Sequence, residues 1–228
     1  MLSEVYGSVW KWSVGLKAGE VMSVKEDVKK LADKYRSELM SQMEKRVDEM
    51  DDDDNSHYLI YRVLGISESE GQAIDVYQNK GRFLYKYAGS FLEEAAFICF
   101  KKKYPSAEKT RIENTIGKKP KNFEIDCLID NDALEVKWRD ATTDGDHITK
   151  EHTRIQAIIA KGYRPVRVMF YYPNRDQAIR IQDTLRTTYK GVGGLYYSGD
   201  EAWKYVEEKT GINLYMILEE IADEQERG

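Results

Sequence analysis

Apolar side chains recur at steps of three and four from residue 22 to residue 50. Val24, Val28, Leu31, Tyr35, Leu39, Met43, Val47 and Met50 form one stripe, which predicts a single long amphipathic helix packed on its own domain or on a partner protomer. The run Asp51 to Asp54, followed by Asn55, ends it as a solvated linker. Residues 58–88 read as helical pieces. Gly65 stops one piece, Ser67 with Glu70 makes a capping box for the next, and Gly81 after Gln78-Asn79-Lys80 suits a helix end. Residues 90–103 are apolar around much of their girth, which predicts a buried helix ended by Tyr104-Pro105.

Beyond that point the period changes from helical to alternating. Residues 109–116 suit a strand. In 122–130, Phe123, Ile125, Cys127 and Ile129 alternate with Glu124, Asp126, Leu128 and Asp130. In 133–138, Leu134, Val136 and Trp138 alternate with Ala133, Glu135 and Lys137. Asn131-Asp132 between them is a tight-turn signal, so the two strands form a hairpin. A helix at about 150–161 closes at Gly162, and 165–172 (PVRVMFYY) reads as a strand buried on both faces. A helix at about 174–189, a short strand at 194–198 and one or two acidic helices over 200–224 complete the chain. The fold class is α/β, a mixed β-sheet flanked by helices. The organisation expected is a helical N-terminal region, 1–88, for dimerisation or for clamping a bound ligand, and a core domain, 89–228.

The hairpin brings chemistry together. With Asn131-Asp132 as the turn, Asp130 pairs with Ala133, Leu128 with Glu135 and Asp126 with Lys137. Cross-strand partners lie roughly 5 Å apart at Cβ. Asp126, Glu135 and Lys137 then converge on one face, with the opposite face apolar. Two carboxylates at that spacing can share a hard cation such as Mg²⁺, with the Val136 carbonyl as a further ligand. Lys137 is placed to hold a water and to offset phosphate charge. A one-residue slip would scatter the set. The plain alternative is solvation and cross-strand pairing on an outer hairpin face.

The chain has 228 residues with 35 Lys+Arg against 40 Asp+Glu, a formal charge of −5. The charge is uneven: residues 101–190 hold 19 basic and 13 acidic groups between two acidic ends. A basic middle can bind a polyanion locally, although a window of this size also drifts by that much without meaning. No run is apolar enough to span a membrane, and the first 20 residues mix charge and glycine too early for a signal peptide. Cys99 and Cys127 sit in apolar patterns and read as reduced core residues, which excludes a disulfide scaffold. A cytoplasmic protein is expected.

The order helix with Glu93-Glu94, strand, Ile125-Asp126 to Glu135-Val136-Lys137 hairpin, helix, buried strand, helix resembles the PD-(D/E)xK nuclease superfamily over about residues 89–172. Ile125 stands where that motif carries its proline. The stretch EVKWRDATTDGDHITKEHTR is further similar to ApaLI-type restriction enzymes. The resemblance implies a restriction-endonuclease-like core and Mg²⁺-dependent hydrolysis of DNA phosphodiesters, leaving a 5′-phosphate and a 3′-hydroxyl. It implies Asp126 and Glu135 as metal-binding carboxylates, Lys137 beside the attacking water, and a third carboxylate from the preceding helix, Glu93 or alternatively Glu94. Gln156 matches a polar position that some members hold near the metal.

The segment 139–154 follows the active strand directly and offers Arg139, Thr142, Thr143, His147, Lys150, His152 and Arg154 to base edges and phosphates. Asp140, Asp144 and Asp146 lie among them. Lys118, Lys119 and Lys121, just before the first hairpin strand, suit phosphate contacts or a solvated turn. The reading is a sequence-specific type II endonuclease for double-stranded DNA, working as a homodimer on a two-fold site. The rivals are a Holliday-junction resolvase or repair nuclease of the same fold, and a non-catalytic DNA-binding protein on that scaffold.

Overall fold

The computed structural model describes residues 18–117, 119–139 and 145–227. The predicted stripe forms helix α1, Ala18–Asp51. Its first positions, Val24 and Val28, are buried in the main core, and the later ones are half-buried along a neighbouring helix of the same chain. A short helix α2, Tyr58–Val63, stops as expected before Gly65, whose φ is +86°.

The next helix departs from expectation. α3 runs unbroken from Glu68 to Lys103, 36 residues, straight through Gly81 and Gly89. Its start is the predicted one: the Ser67 hydroxyl accepts the Glu70 N–H at 3.2 Å. Its end is also the predicted one, with Tyr104 in an extended conformation before Pro105. A glycine inside a helix costs only about 0.5–1 kcal/mol relative to alanine. Packing against α1 on one side and the sheet on the other outweighs that. The expected division at residue 88 therefore lies within one continuous helix.

Five strands follow: β1 Glu108–Glu113, β2 Asn122–Ile129, β3 Asp132–Arg139, β4 Arg164–Tyr171 and β5 Leu195–Ser198. They lie side by side in chain order. The β1–β2 and β2–β3 pairs are antiparallel, while β3–β4 and β4–β5 are parallel. Helices α4 (Gly145–Ala160) and α5 (Asp176–Gly191) supply the parallel crossovers and cover one face. Helices α3, α6 (Asp200–Thr210) and α7 (Leu214–Arg227) cover the other, where the largest core gathers around Leu134, Val136, Val166 and Val168. Among the described residues, no helix is long and apolar enough to cross a membrane, and Cys99 and Cys127 are free, buried thiols.

The hairpin turn lies one position earlier than the sequence suggests. Ile129 pairs with Asp132, Leu128 with Ala133 and Cys127 with Leu134, so Asp130-Asn131 is the connection. Asp130 takes the left-handed φ of +49°, which aspartate tolerates. Asp132 is held in the strand by Arg164, whose Nε and Nη2 donate to its two carboxylate oxygens at 2.6 and 2.7 Å. The register thus differs from the expected one by two residues. An even shift keeps every β3 side chain on its expected face.

A bulge in β2 was not visible in the alternation. Thr110 pairs with Ile125, but Glu108 pairs with Leu128, so Asp126 and Cys127 together oppose Lys109. The extra residue reverses the alternation. Phe123 and Ile125 pack beneath α4 with Ala157 and Ile158, whereas Cys127 and Ile129 join the core beneath α3. The single apolar face expected of β2 is therefore divided between the two sides of the sheet. This is tolerable because helices cover both.

Gly81 has no atom within 4 Å of where a Cβ would sit, and its φ is not positive. Gly81→Ala should stabilise the protein by about 0.5–1 kcal/mol in chemical denaturation. A helix that ended at Gly81 would instead be destabilised by the same change.

Candidate active site

The bulge and the opening of the hairpin occur at the same residue. Pairing between β2 and β3 stops at Cys127 and Leu134, while β3 stays paired with β4 as far as Arg139. Where β2 leaves, the Asp126 carboxylate takes over: its Oδ2 accepts the Val136 N–H at 2.7 Å. A side chain thus replaces a backbone acceptor in the ladder, and a polar gap opens beside the central strand.

Three predicted residues meet in that gap. The Lys137 ammonium is 2.5 Å from Glu135 Oε1 and 3.8 Å from Asp126 Oδ2. It also donates to the Val136 carbonyl at 3.1 Å. Asp126 is 6 % exposed and Glu135 2 %, whereas a third of the Lys137 side chain reaches solvent. Glu93 lies on the edge of this cluster. Its Oε1 accepts from Lys109, the residue opposite the bulge, at 2.7 Å. Glu94 turns the other way and accepts from Tyr35 of α1 at 2.9 Å. Of the two adjacent acids, Glu93 is the one whose charge bears on Asp126.

Parallel pairing places Arg167 of β4 beside Glu135. The crossover helix α4 lies over both strands and adds Glu151 and Arg154. Arg154 Nη1 contacts Glu135 Oε1 and also stands 2.8 Å from Glu151 Oε1. Arg167 Nη1 donates to Glu151 Oε2 at 2.9 Å, and the Tyr189 hydroxyl of α5 reaches the same oxygen at 3.5 Å. Glu151 and Arg167 are each 1 % exposed. Sequence reading missed Glu151, Arg167 and Tyr189. The available signal was Arg167 itself: an arginine within an apolar, doubly buried strand requires a buried acid.

Arg154 stands away from the DNA-contacting role expected of it, drawn under α4 by two carboxylates. The helix expected from about residue 150 begins five residues earlier, at Gly145, and Lys150 and His152 are exposed positions on it. Gln156 is a half-buried position of the same helix. Arg139 is exposed at the end of β3, its guanidinium 5.2 Å from the Tyr85 ring centre. Lys119 and Lys121 are exposed between β1 and β2. Lys118, Asp140, Thr142, Thr143 and Asp144, and the side chains of Asp146 and His147, lie outside the described residues.

The electrostatics separate the two carboxylates. Burial, reinforced by the Glu135 charge and only partly opposed by Lys137, pushes Asp126 up to about 8. Burial acts upward on Glu135 too, but Lys137 and Arg154 outweigh it and hold that group down to about 2. Lys137 stays charged, because Glu135 and Asp126 overcome its own desolvation. One carboxyl thus keeps a proton near neutrality while its neighbour is ionised.

Both Glu135 carboxylate oxygens are buried and have no hydrogen-bond partner. An unsatisfied buried carboxylate oxygen is costly, and a hard cation with oxygen ligands would satisfy it. Among the described residues, no group of three or more His, Cys, Asp or Glu side chains gathers as a ligand cluster. The donors at hand are Asp126, Glu135 and the Val136 carbonyl. That set suits Mg²⁺, which keeps several waters and needs only one or two protein carboxylates.

Asp126 titrates near 3.8 when unfolded and near 8 when folded. A raised acid binds its proton more tightly in the native state, so it stabilises below the lower value and stops doing so above the higher one. In metal-free buffer the melting temperature should therefore carry a downward component between about pH 4 and pH 8. Asp126→Asn should flatten that component. A parallel pH profile in the variant would refute the assignment.

No curated protein and no solved structure matches the chain. A sequence profile of the ApaLI-like restriction endonucleases matches residues 16–223, which takes in both long helices, the whole sheet and the site just described. The chain belongs to the ApaLI-like restriction endonuclease family, whose members bind and cleave DNA.

Proposed function

We propose that the protein is a type II restriction endonuclease that cleaves both strands of a specific DNA sequence, depends on Mg²⁺ and acts as a homodimer. The observation that carries this reading is the buried Asp126–Lys137–Glu135 cluster with its unsatisfied carboxylate oxygens. Asp126, Glu135 and the Val136 carbonyl would hold the cation, with Glu93 as the outer carboxylate. When bound, a divalent cation supplies Lewis-acid polarisation of the scissile phosphate and a more acidic water.

The chain's own residues do the rest. Lys137, a third exposed, is the cation of the cluster that reaches solvent, so it orients the attacking water and offsets charge building on the phosphate. The open side of the hairpin admits the DNA backbone beside β3. Lys119, Lys121, Lys150 and His152 are exposed and free to meet phosphates, while Arg139 lies at the end of the active strand. Lys118, Thr142, Thr143 and His147 are further DNA-contact candidates by sequence alone. Net acidity disfavours indiscriminate DNA coating, because nonspecific affinity is mainly phosphate electrostatics.

Cutting two antiparallel strands at one site suits two copies of the centre related by a two-fold axis. Leu59, Ile60, Val63 and Leu64, on α2 and its C-terminal cap, are each more than half exposed. An apolar patch of that kind supports the helical region as the pairing surface of the two copies.

Asp126→Ala, Glu135→Ala and Lys137→Ala should each lower cleavage of a mixed-sequence plasmid in Mg²⁺ by at least about 10²–10⁴-fold. Discrete bands from the wild-type protein are expected. Full activity in all three variants, or digestion confined to branched substrates, would refute the reading.

A further inference from the structure

Arg154 and Glu151 lie in neither motif position nor on the exposed basic surface, yet they are built into the centre. Glu135 Oε1 forms ion pairs with two cations, Lys137 and Arg154, yet neither of its carboxylate oxygens has a hydrogen-bond partner. Arg154 is in turn shared: the same Nη1 faces Glu135 and Glu151. Glu151 cannot drift, because its second oxygen is tied to Arg167, itself fixed in the middle of β4, and lies near the Tyr189 hydroxyl. The chain of contacts runs from a rigid central strand, through the crossover helix, to one oxygen of one carboxylate.

Counted as charges, Glu151 and Arg167 neutralise each other, and Arg154 is divided between Glu151 and Glu135. Without Glu151, the whole charge of Arg154 would fall on Glu135 and cancel the negative potential that a divalent cation requires. Without Arg154, Glu135 would keep only Lys137 and would become a stronger but less fixed ligand.

We propose that Glu151 is a positioning residue for the metal-binding carboxylate: by sharing the Arg154 nitrogen that contacts Glu135, it sets both the orientation of that carboxylate and the charge left for the cation. Arg154 is the intermediary, and Arg167 is the anchor. This rests on the reading of Asp126 and Glu135 as metal ligands.

Binding of Mn²⁺ to the full-length protein, followed by water-proton relaxation, tests it apart from turnover. Glu151→Gln keeps the shape and removes the charge, and should weaken Mn²⁺ binding on the order of tenfold. Arg154→Met should tighten it, yet both variants should cleave plasmid more slowly than wild type. The double variant should bind Mn²⁺ more tightly than Glu151→Gln but less tightly than Arg154→Met, because losing Glu151 also leaves the Arg167 charge uncompensated beside Glu135. Loosened packing would weaken binding in every variant, and that result, or unchanged binding, overturns the inference. If Glu151→Gln does not fold, as judged by near-ultraviolet circular dichroism, the sign of the Arg154→Met effect decides. Asp126→Asn separates the two levels. Loss of binding there with no opposite-signed effect in the other variants overturns only the positioning role. Undiminished binding there overturns the metal reading together with it.

Discussion

The hydrogen bond from the Val136 N–H to the Asp126 carboxylate is the constraint on which the site depends. In an uninterrupted hairpin that N–H would meet a backbone carbonyl of β2, and no gap would exist. The extra residue in β2 takes its backbone out of register at this point, and the carboxylate fills the vacated acceptor position. Three consequences follow together. The hairpin opens, Asp126 is fixed beside Glu135, and burial raises its proton affinity. The two acids therefore differ in ionisation although they are neighbours.

Around that bond the fold assembles a balanced set of buried charges. Asp126, Glu135 and Glu151 face Lys137, Arg154 and Arg167. Burying an ion is costly unless it is paired, and removing one partner leaves the other stranded. The parallel β3–β4 register and the crossover helix between those strands bring the partners together without loops. The side chains thus stand on regular elements, whose positions vary less than those of loops. The same arrangement draws Arg154 in between Glu135 and Glu151.

Much of the fold was legible because each element carried a local signal. The stripe in α1, the Ser67 cap, the stop at Tyr104-Pro105 and the doubly buried strand at 164–171 all follow from side-chain spacing or backbone chemistry. The failures share one cause. Gly81 reads as a helix end locally, but α1 and the sheet hold α3 straight through it. Residues 145–149 carry no local helix signal, but as the first turn of α4 they place Ile148 beside Ile155 against α5. The turn at Asp130-Asn131 was displaced by one position because Arg164, 32 residues away from Asp132, decides which residue joins the strand.

The sequence by itself determined which residues could do chemistry: the spacing Asp126, Glu135, Lys137 survives any even change of register, since strand side chains alternate with period two. It also determined that the chain is α/β with a helical beginning, because the periods of the segments are local properties. Only the tertiary structure decided that β2 bulges, that Glu93 rather than Glu94 faces the site, and that Glu151, Arg154 and Arg167 complete it. Those are contacts between residues on different elements, and their energies depend on burial and on partners that no local pattern encodes.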